Sequence, residues 1–288
     1  MLIYKTIFNM YSRVAYLLST MHVSHHQRTN HKRCELLLIT VAYNDECLIE
    51  KQIELVRSKV IDPEYRHIVI DNSLMRKKRK FIKSVCMQHD IEYVAIPFFI
   101  TFLFHYQIAI SHGAALNWMY YHYLQYKKPF RFALLDHDLF PVRDVDMAQL
   151  LGQRDFYGVS RVFGEEWYLW PGFCVFNYDV FIRKPDFLPI HTARNFLDTG
   201  GGNYRRFYCK YDIQDVEFPS VQTLRIKNSK ELTRRCDIYH SDYVQIIDDK
   251  WLHLINGSNY ARIKGKDDFI KGVLADIGSF YSEISSKR

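Results

Sequence analysis

The sequence predicts an α/β protein with a doubly wound, mixed sheet: a Rossmann-like N-terminal half and a smaller second half. Short, near-continuous apolar runs alternate with segments that repeat apolar residues at helical spacing, which is typical of parallel strands joined by helices. The 288 residues are 48% hydrophobic and 25% charged, as in a globular protein with a large core. This composition excludes a disordered or collagen-like chain.

The N-terminal half follows a β-α-β-α-β order and then adds a fourth strand. Residues 36–43 (LLLITVAY) form a near-continuous apolar run, which suits a central strand covered on both faces. Asn44 or Asp45 can cap the next helix, which Pro63 closes. The other predicted elements of this half are the strand 66–70, a helix 76–89, the strand 91–96, a long helix 106–124 and the strand 132–135.

Beyond residue 138 the pattern changes, and this part is predicted to form the smaller half. Strands are predicted at 156–162 and 169–176, a strand pair at 243–255, and a closing amphipathic helix at 267–284. We divide the chain into an N-terminal extension and linker (1–33), one α/β domain (34–262) and a C-terminal helix (263–288). We interpret the extension as a frayed terminus, and a peripheral membrane or partner contact is the alternative.

The charge and the cysteine content indicate which partners and which redox compartment suit the protein. Lys and Arg number 39 against 32 Asp and Glu, so the net charge is +7, which is compatible with phosphates, nucleotides or anionic lipid. The six cysteines lack the spacing of a zinc site, and we interpret them as reduced thiols of a cytoplasmic protein. The sequence has no apolar run long enough for a bilayer span, and we expect no signal peptide.

The candidate catalytic feature is the segment LLDHDLFPV, in which Asp136 and Asp138 follow the fourth strand. Side chains at positions i and i+2 of an extended chain point the same way, so both carboxylates should project from the carboxyl edge of the sheet, where ligands bind. Close carboxylates repel unless a cation lies between them, and oxygen ligands favour Mg²⁺ or Mn²⁺. Such an ion can neutralise a diphosphate leaving group. A solvated turn with two acidic caps is the alternative.

Polar residues that follow two other strands are expected at the same edge. Tyr43 and Asn44 follow the first strand, and Asp71 and Asn72 follow the second. Asp71 can accept hydrogen bonds from a base or ribose, and Tyr43 can stack on a ring. The small residues of the helix GAALN favour close packing over this edge, which leaves Asn117 available for a nucleotide. We therefore treat these five residues as donor-binding candidates.

In this order and spacing, the strand TVAYN, the strand IVIDNS, the helix SHGAALN and the strand LLDHD resemble a glycosyltransferase of the GT-A fold, nearest to the family 2 type. The resemblance covers residues 36–260. It implies a nucleotide-sugar donor, a glycan or other hydroxyl acceptor, a divalent metal ion between aspartates and diphosphate, and inversion at the anomeric carbon. Tyr43 and Asn44 match the first donor loop of this family.

The resemblance also implies roles for the acidic residues and for one histidine. Asp136 and Asp138 match the DxD motif, with Asp138 the direct metal ligand and Asp136 nearer the ribose. Asp71 matches the acidic residue that contacts the nucleoside. His253, in WLHLINGSNY, is similar to a late histidine that some GT-A enzymes add to the metal or diphosphate shell. A core histidine in a strand is the alternative for His253.

An inverting transferase needs a carboxylate that takes the proton of the acceptor hydroxyl. The segment LDTGGGNY offers Asp198 for this role, and its glycines, Gly200 among them, would let the backbone approach a ligand. A helix cap or turn residue is the alternative for Asp198. The sequence lacks the Glu-Asp pair that family members often carry here, so Asp212, Asp215 and Glu217 stay open as candidates.

Aromatic and small residues after the metal strand are candidates for sugar or acceptor binding. In EEWYLWPGF, the Trp170 ring can stack on a sugar face, and Gly172 permits close backbone approach. Ordinary core packing of these aromatic residues is the alternative.

Other function classes compete with this interpretation. A nucleotidyltransferase shares the sheet type and metal chemistry, but the first strand here runs into AYNDE, without the usual Gly-rich phosphate loop. A non-catalytic module for nucleic acid or membrane surfaces would use the basic residues at 76–80 and 25–33. No RNA-binding aromatic signature is visible, so we expect no nucleic-acid partner. A degenerate transferase that binds donor without turnover stays open, as does the oligomeric state.

Overall fold

Apolar strands and amphipathic helices build one main sheet and a smaller antiparallel sheet. The computed structural model describes residues 2–21, 33–181, 184–225, 243–255 and 266–286. In chain order, the strands are β1 (Leu36–Ala42), β2 (Tyr65–Asp71), β3 (Glu92–Ala95), β4 (Arg131–Asp136), β5 (Leu139–Pro141), β6 (Phe156–Phe163), β7 (Glu166–Asn177), β8 (Ile190–His191), β9 (Phe196–Leu197), β10 (Val221–Arg225), β11 (Tyr243–Ile247) and β12 (Trp251–His253). The helices are α1 (Leu2–Thr20), α2 (Glu46–Lys59), α3 (Arg76–Gln88), α4 (Phe98–Phe104), α5 (Ile108–Met119), α6 (Met147–Leu151), α7 (Lys266–Ala275) and α8 (Ile277–Ser285).

The main sheet has the strand order β3-β2-β1-β4-β7-β6. β1 pairs in parallel with β2 and β4, and β2 pairs in parallel with β3. β7 runs antiparallel to both β4 and β6. The predicted fold class, a mixed α/β sheet with a mostly parallel N-terminal half, is confirmed.

Side chains of β1 alternate between two apolar cores, one on each face of the main sheet. Leu37, Ile39 and Val41 pack into the core that α4 and α5 complete. Leu36 and Leu38 pack into the opposite core, together with apolar residues of α2. Every residue of β1 is buried, which explains why its sequence is apolar on both faces, apart from Thr40, and does not alternate with polar residues.

The smaller sheet has the order β10-β11-β12-β5, with antiparallel pairing throughout. The predicted strand pair at 243–255 corresponds to β11 and β12. β5 and β10 are strands that the sequence pattern did not predict. Because β5 begins one residue after Asp138, its pairing with β12 brings the distant end of the chain to the exit of β4.

Residues 2–20 form a helix that packs on the domain, in place of the frayed terminus that we expected. Phe8 and Ala15 are buried in the same core as α5. The Ser12 hydroxyl donates to the Pro189 carbonyl at 2.8 Å, and Nε2 of His122 lies 3.0 Å from the carbonyl oxygen of residue 19. Most of the predicted linker, residues 22–32, lies outside the described residues, as does the predicted boundary at 262–263.

Two helical regions differ from the predicted ones. The predicted helix 106–124 is preceded by a separate helix, α4, and α5 passes into a π-helical turn at Tyr120–Leu124. The predicted closing helix is split at Asp276, whose side chain caps α8 by accepting from the Ser279 N–H at 2.9 Å. No helix among the described residues has both the length and the apolar character needed to cross a bilayer.

Candidate active site

The carboxyl ends of β1, β2 and β4 lie level with one another at one edge of the main sheet. In the parallel register, Ala42 pairs with Asp71, and Val41 pairs with Asp136. Tyr43, which follows β1 directly, therefore lies at the same edge as both aspartates. This is the edge at which open α/β sheets bind their ligands.

Asp71 and Asn72 reach this edge, but their side chains point into the fold. Asp71 is fully buried; its Oδ1 accepts from the Ser73 N–H at 2.8 Å and its Oδ2 from the Tyr93 hydroxyl at 2.7 Å. The Asn72 side-chain amide donates to the Ser111 hydroxyl oxygen at 3.1 Å. Both side chains therefore stabilise the loop that follows β2.

Asn44 connects the loop after β1 to the loop after β2. Its φ of 53° is left-handed, a conformation that Asn adopts more readily than most residues. Its N–H donates to the Ser73 hydroxyl at 2.7 Å, and its Oδ1 accepts from the Met75 N–H at 3.1 Å. Tyr43 is half-buried beside it. Asn44 therefore shapes the loop that carries the Tyr43 ring.

Asn117 is fully buried on α5 and fastens another segment to that helix. Its Oδ1 accepts from the Phe187 N–H at 2.9 Å, and its Nδ2 donates to Asp186 at 3.4 Å. A Cβ at Gly113 would lie 2.6 Å from the Phe187 carbonyl oxygen, so only glycine allows this approach. The small residues of α5 thus serve close packing, as expected, and Asn117 has a packing role.

Asp136 and Asp138 leave β4 at the site edge, and one side chain of the smaller sheet joins them. Asp138 is buried, and its Oδ1 lies 3.6 Å from Nε2 of His253. His253 reaches this position because β12 pairs with β5, where it lies opposite Leu139. His137, between the two aspartates, points back toward the sheet, with Nδ1 3.1 Å from the carbonyl oxygen of residue 41.

Gln52 on α2 fixes the path of the chain between the two aspartates. Its buried Nε2 donates to the carbonyl of Asp136 at 2.6 Å and to the carbonyl of Leu139 at 2.7 Å. Its Oε1 accepts from the Thr40 hydroxyl at 2.7 Å. One amide thus holds the carbonyls on either side of the DxD turn. Helical periodicity predicts an apolar residue at such a buried position, so the sequence pattern did not mark Gln52.

His253 is oriented by two neighbours. Its Nδ1 lies 2.9 Å from Oε1 of Gln245, an oxygen that can only accept, so Nδ1 carries the proton of this hydrogen bond. The imidazole ring lies 4.7 Å from the Trp170 ring. In the neutral ring, Nε2 is then an acceptor that faces the carboxylate of Asp138, an arrangement that favours a proton or a metal ion between them.

Two residues that the sequence reasoning missed act on Asp136: His112 approaches it directly, and Arg161 acts on it through its charge. Nε2 of His112, on α5, lies 3.5 Å from Oδ1 of Asp136, and burial lowers the pKa of His112 to about 4. Burial likewise raises the pKa of Asp136 to about 6, and the charge of Arg161 on β6 opposes that rise. His112 lies inside the segment SHGAALN, one turn into its helix, and that position is the signal that could have identified it.

Asp198 is an exposed residue between β9 and the glycines that follow it, in a turn whose neighbouring residues are buried. Its N–H donates to the Tyr168 hydroxyl at 2.9 Å, and its Oδ1 accepts from the Thr199 N–H at 2.8 Å. The Thr199 hydroxyl donates to the Ala109 carbonyl at 3.0 Å, which fastens the turn to the first residues of α5. Burial has the largest effect on the pKa of His112, and the negative charge of Asp198, which raises this pKa, has the next largest. The turn therefore lies close to the DxD edge.

Trp170, Gly172 and Gly200 form part of one packed wall. An added Cβ at Gly172 would lie 2.0 Å from the Trp170 ring, so the glycine makes room for that ring. Gly200 has a φ of 95°, and an added Cβ there would lie 3.0 Å from Pro171. The Arg161 guanidinium lies 5.3 Å from the centroid of the Trp170 ring. Trp170 is half-buried and lies between Arg161 and the histidine of β12.

The donor set fits a divalent cation that the protein binds with few ligands. Asp136 and Asp138 offer carboxylate oxygens, which Mg²⁺ and Mn²⁺ prefer, and His253 offers an imidazole nitrogen. Burial raises the pKa of Asp136 to about 6, so its charged form is disfavoured there, and a bound cation would offset that cost.

Among the described residues, only one group of three His, Asp or Glu side chains has ligand atoms all within 4.8 Å of one another. This group is Glu50, Glu54 and His89, on α2 and at the end of α3. Both glutamates are exposed or partly exposed, and Glu54 pairs with Lys51 at 2.7 Å. The DxD aspartates and the histidine of β12 are more widely spaced, which suits an ion that takes further ligands from phosphate and water.

Comparisons with known proteins add a set of remote structural likenesses. No family model matches the sequence, and no curated protein matches it. Among solved structures, the chain is similar to mannosyltransferase PcManGT from Pyrobaculum calidifontis in complex with GDP-Man and Mn²⁺ (TM-score 0.37, 12% identity, 63% of this chain and 56% of that one). It is also similar to core-mannan synthase A (CmsA/Ktr4) from Aspergillus fumigatus in its Mn/GDP form (TM-score 0.34, 11% identity, 57% and 63%) and to mannosyltransferase Ktr4p from S. cerevisiae (TM-score 0.35, 8% identity, 61% and 66%).

The chain thus spans less than two thirds of the length of each of these proteins. What the site does is therefore argued below from its own residues.

Proposed function

We propose that this chain is a metal-dependent glycosyltransferase that moves a sugar from a nucleotide-sugar donor to an acceptor hydroxyl, with inversion at the anomeric carbon. One observation carries the proposal. The buried Asp138 and its neighbour Asp136 leave β4 level with the tips of β1 and β2, and His253 faces Asp138 at 3.6 Å. A site of this kind can hold a divalent cation beside a nucleotide at the carboxyl edge of the sheet.

Three residues hold the diphosphate end of the donor in this proposal. Asp138 and His253 bind the cation directly. Asp136 lies next to the cation on the side that faces the ribose. When bound, Mn²⁺ or Mg²⁺ supplies positive charge that stabilises the diphosphate as it leaves. Arg161, whose charge already acts on Asp136, is placed to bind a phosphate oxygen.

The donor's base and sugar contact the neighbouring elements. Tyr43 lies half-buried at the tip of β1, where its ring can stack on the nucleobase. Trp170 presents a half-buried ring beside His253, where it can pack on a sugar face. Asn44 and Asp71 act through the loops that they stabilise, since their side chains are already hydrogen-bonded within the fold.

Asp198 acts as the general base. Its side chain is exposed, and two hydrogen bonds hold its turn against β7 and α5, so its carboxylate can meet an acceptor hydroxyl that enters from solvent. Of the other acidic candidates, Asp212 accepts from the Gln214 N–H at 3.0 Å, and Glu217 forms an ion pair with Arg154. The proton of the acceptor passes to Asp198 as the hydroxyl attacks the anomeric carbon.

Release of nucleoside diphosphate tests this function. The full chain is incubated with a panel of sugar nucleotides in Mn²⁺, with and without simple glycan acceptors, and the released nucleotide is identified. We expect nucleoside diphosphate from at least one sugar nucleotide, and none in the presence of a chelator. Release of nucleoside monophosphate or pyrophosphate would instead indicate a nucleotidyltransferase, and absence of any turnover with tight donor binding would indicate a degenerate transferase.

Replacing Gln52 with Met is expected to weaken Mn²⁺ binding while the protein stays folded. The substitution keeps the volume of the side chain but removes the two hydrogen bonds that hold the carbonyls of Asp136 and Leu139. Loss of such a supporting contact typically lowers metal affinity by about 10- to 100-fold. The measurement is the Mn²⁺ concentration that half-saturates nucleotide binding.

The matched control is Gln149→Met, at an exposed position of α6. It should leave the Mn²⁺ dependence unchanged. If Gln52→Met lowers the melting temperature but binds Mn²⁺ like the wild type, Gln52 supports the fold and not the metal site.

A further inference from the structure

Helix α1 carries a continuous apolar stripe on its solvent side. Its six members are 47–75% exposed and repeat at spacings of three and four residues, so they lie along one face of the helix. They are Ile3, Ile7, Met10, Val14, Leu17 and Met21. Single exposed apolar residues are ordinary, but an unbroken stripe over the full length of a helix indicates a surface that contacts something apolar.

The stripe continues onto α4. The Tyr11 hydroxyl donates to the Leu103 carbonyl at 2.7 Å, and the Tyr11 ring lies 5.4 Å from the Phe104 ring, so the two helices are in contact. On α4, Phe99 and Phe102 are exposed, as is Leu103 itself. We call the stripe together with these three residues the α1–α4 face. The other side of α1 packs on the domain through the buried Phe8 and Ala15 and through hydrogen bonds such as that from Asn9 to the His191 carbonyl at 2.9 Å.

The helices that form this face carry basic residues and no acidic ones: α1 contains Lys5 and Arg13, and α4 contains no charged residue. Residues 1–34 contain five Lys or Arg residues and no Asp or Glu, and residues 96–130 contain no Asp or Glu either. Arg13 is exposed on α1, next to the stripe. Arg33, further along the chain, is already paired with Asp179 at 2.7 Å, so the positive charge of this face comes from Lys5 and Arg13 of α1. An apolar helical face combined with basic residues and no acidic ones is complementary to an anionic lipid surface.

We propose that the α1–α4 face binds an anionic membrane surface, with α1 lying in the plane of the interface. Its apolar side chains enter the boundary between head groups and acyl chains, and the basic residues contact the anionic head groups. A second copy of the chain is a poorer occupant. In a two-fold dimer built on this face, α1 would lie on both sides of the interface, and it carries basic residues but no acidic residue to compensate them.

The face borders the sheet edge that carries the site. α5 follows α4 after a short turn, and its early residues contact that edge: the Ala109 carbonyl accepts from Thr199, and His112 faces Asp136. The lipid contact itself does not depend on the proposed function, because it is argued from α1 and α4 alone.

Vesicle co-sedimentation of the full chain tests the proposal. We expect the wild type to bind vesicles of phosphatidylcholine with phosphatidylglycerol, to bind pure phosphatidylcholine more weakly, and to lose part of its binding in high salt. Ile7→Glu and Leu17→Glu should each lower the bound fraction by about tenfold or more, since each places a charge in the apolar boundary. Both positions are more than half exposed, so the variants should keep the melting temperature of the wild type.

The matched control is Ile61→Glu, at a residue with 58% exposure between α2 and β2, outside the face. It should bind anionic vesicles like the wild type. Wild-type protein that does not bind, that binds neutral and anionic vesicles equally, or that binds as well with Glu at positions 7 and 17 would overturn the proposal. So would a dimer in solution that Leu17→Glu converts to a monomer without any vesicle binding in the wild type.

Discussion

Asp138→Asn is expected to abolish sugar transfer and to remove the Mn²⁺ dependence of donor binding. The carboxylate of Asp138 is buried and faces His253 at 3.6 Å, so the amide would replace the charged ligand at the centre of the proposed cation site. Stabilisation of a leaving group by a metal ion contributes several kcal/mol, so turnover should fall by about 10³-fold or to background. The measurements are kcat for nucleoside diphosphate release and donor affinity with and without Mn²⁺.

Asp144→Asn is the matched control for this variant. Asp144 lies shortly after β5, is exposed, and forms a surface pair with Lys59 at 3.5 Å, which contributes little to stability. It should behave like the wild type. Transfer by Asp138→Asn at the wild-type rate in Mn²⁺ would reject the metal role of Asp138.

Asp198→Asn is expected to lower kcat by about 10²-fold or more, as is typical when a general base is lost, while donor affinity stays near that of the wild type. We expect kcat to fall without a change in donor affinity because Asp198 lies apart from the donor contacts. Asp198 is exposed in the turn after β9, whereas the proposed donor contacts come from the ends of β1 and β4 and from β12. The substitution keeps an oxygen that can accept from the Thr199 N–H, so the turn should persist.

Asp212→Asn serves as the comparison for the base, because Asp212 is also an exposed acid that accepts a backbone hydrogen bond. Its kcat should remain near that of the wild type. If Asp198→Asn leaves kcat unchanged while substitution of Asp212, Asp215 or Glu217 lowers it, the base is one of those residues and the assignment here is wrong.

The strands of the N-terminal half could be predicted because burial on both faces requires a short run of apolar residues, which is visible in the local sequence. β1 is apolar at every position except Thr40, because both of its faces are covered. The sequence pattern of α4 is less informative. Its sequence FFITFLF has apolar residues on all sides of the helix, and three of these side chains are exposed on the α1–α4 face. β5 is only three residues long, and its partner β12 lies more than a hundred residues away, so no local pattern indicates their pairing.

The features of the site also differ in whether the local sequence predicts them. The place of Asp136 and Asp138 at the carboxyl end of β4 could be predicted from the apolar run before them, but residues 137 and 138 form a turn and not the extended chain from which we expected a common side-chain direction: Asp136 faces His112 and Asp138 faces His253. The side-chain directions of Asp71 and Asn117 could not be predicted either, because these depend on distant partners, Tyr93 for the first and Phe187 for the second. A polar residue at a strand end or helix face can bind a ligand or its own fold, and the sequence alone does not distinguish these uses.

Gln52 shows the converse case. Its position on α2 follows the apolar repeat, so periodicity assigns it to the core, where a polar side chain would normally be unfavourable. The carbonyls of Asp136 and Leu139 satisfy its amide, and the contact becomes visible only when α2 is placed against the exit of β4.

Thermal unfolding with nucleoside diphosphates tests the central claim most directly. The wild type and Asp138→Asn are melted with UDP, GDP or dTDP, each with Mn²⁺ and each with a chelator. A ligand that binds only the folded state raises the melting temperature. We predict that one nucleotide together with Mn²⁺ stabilises the wild type by more than the sum of the two separate effects, and that Asp138→Asn lacks this excess. Stabilisation that is equal in Mn²⁺ and in chelator, or equal in the two proteins, would contradict a cation held by Asp138 beside a diphosphate.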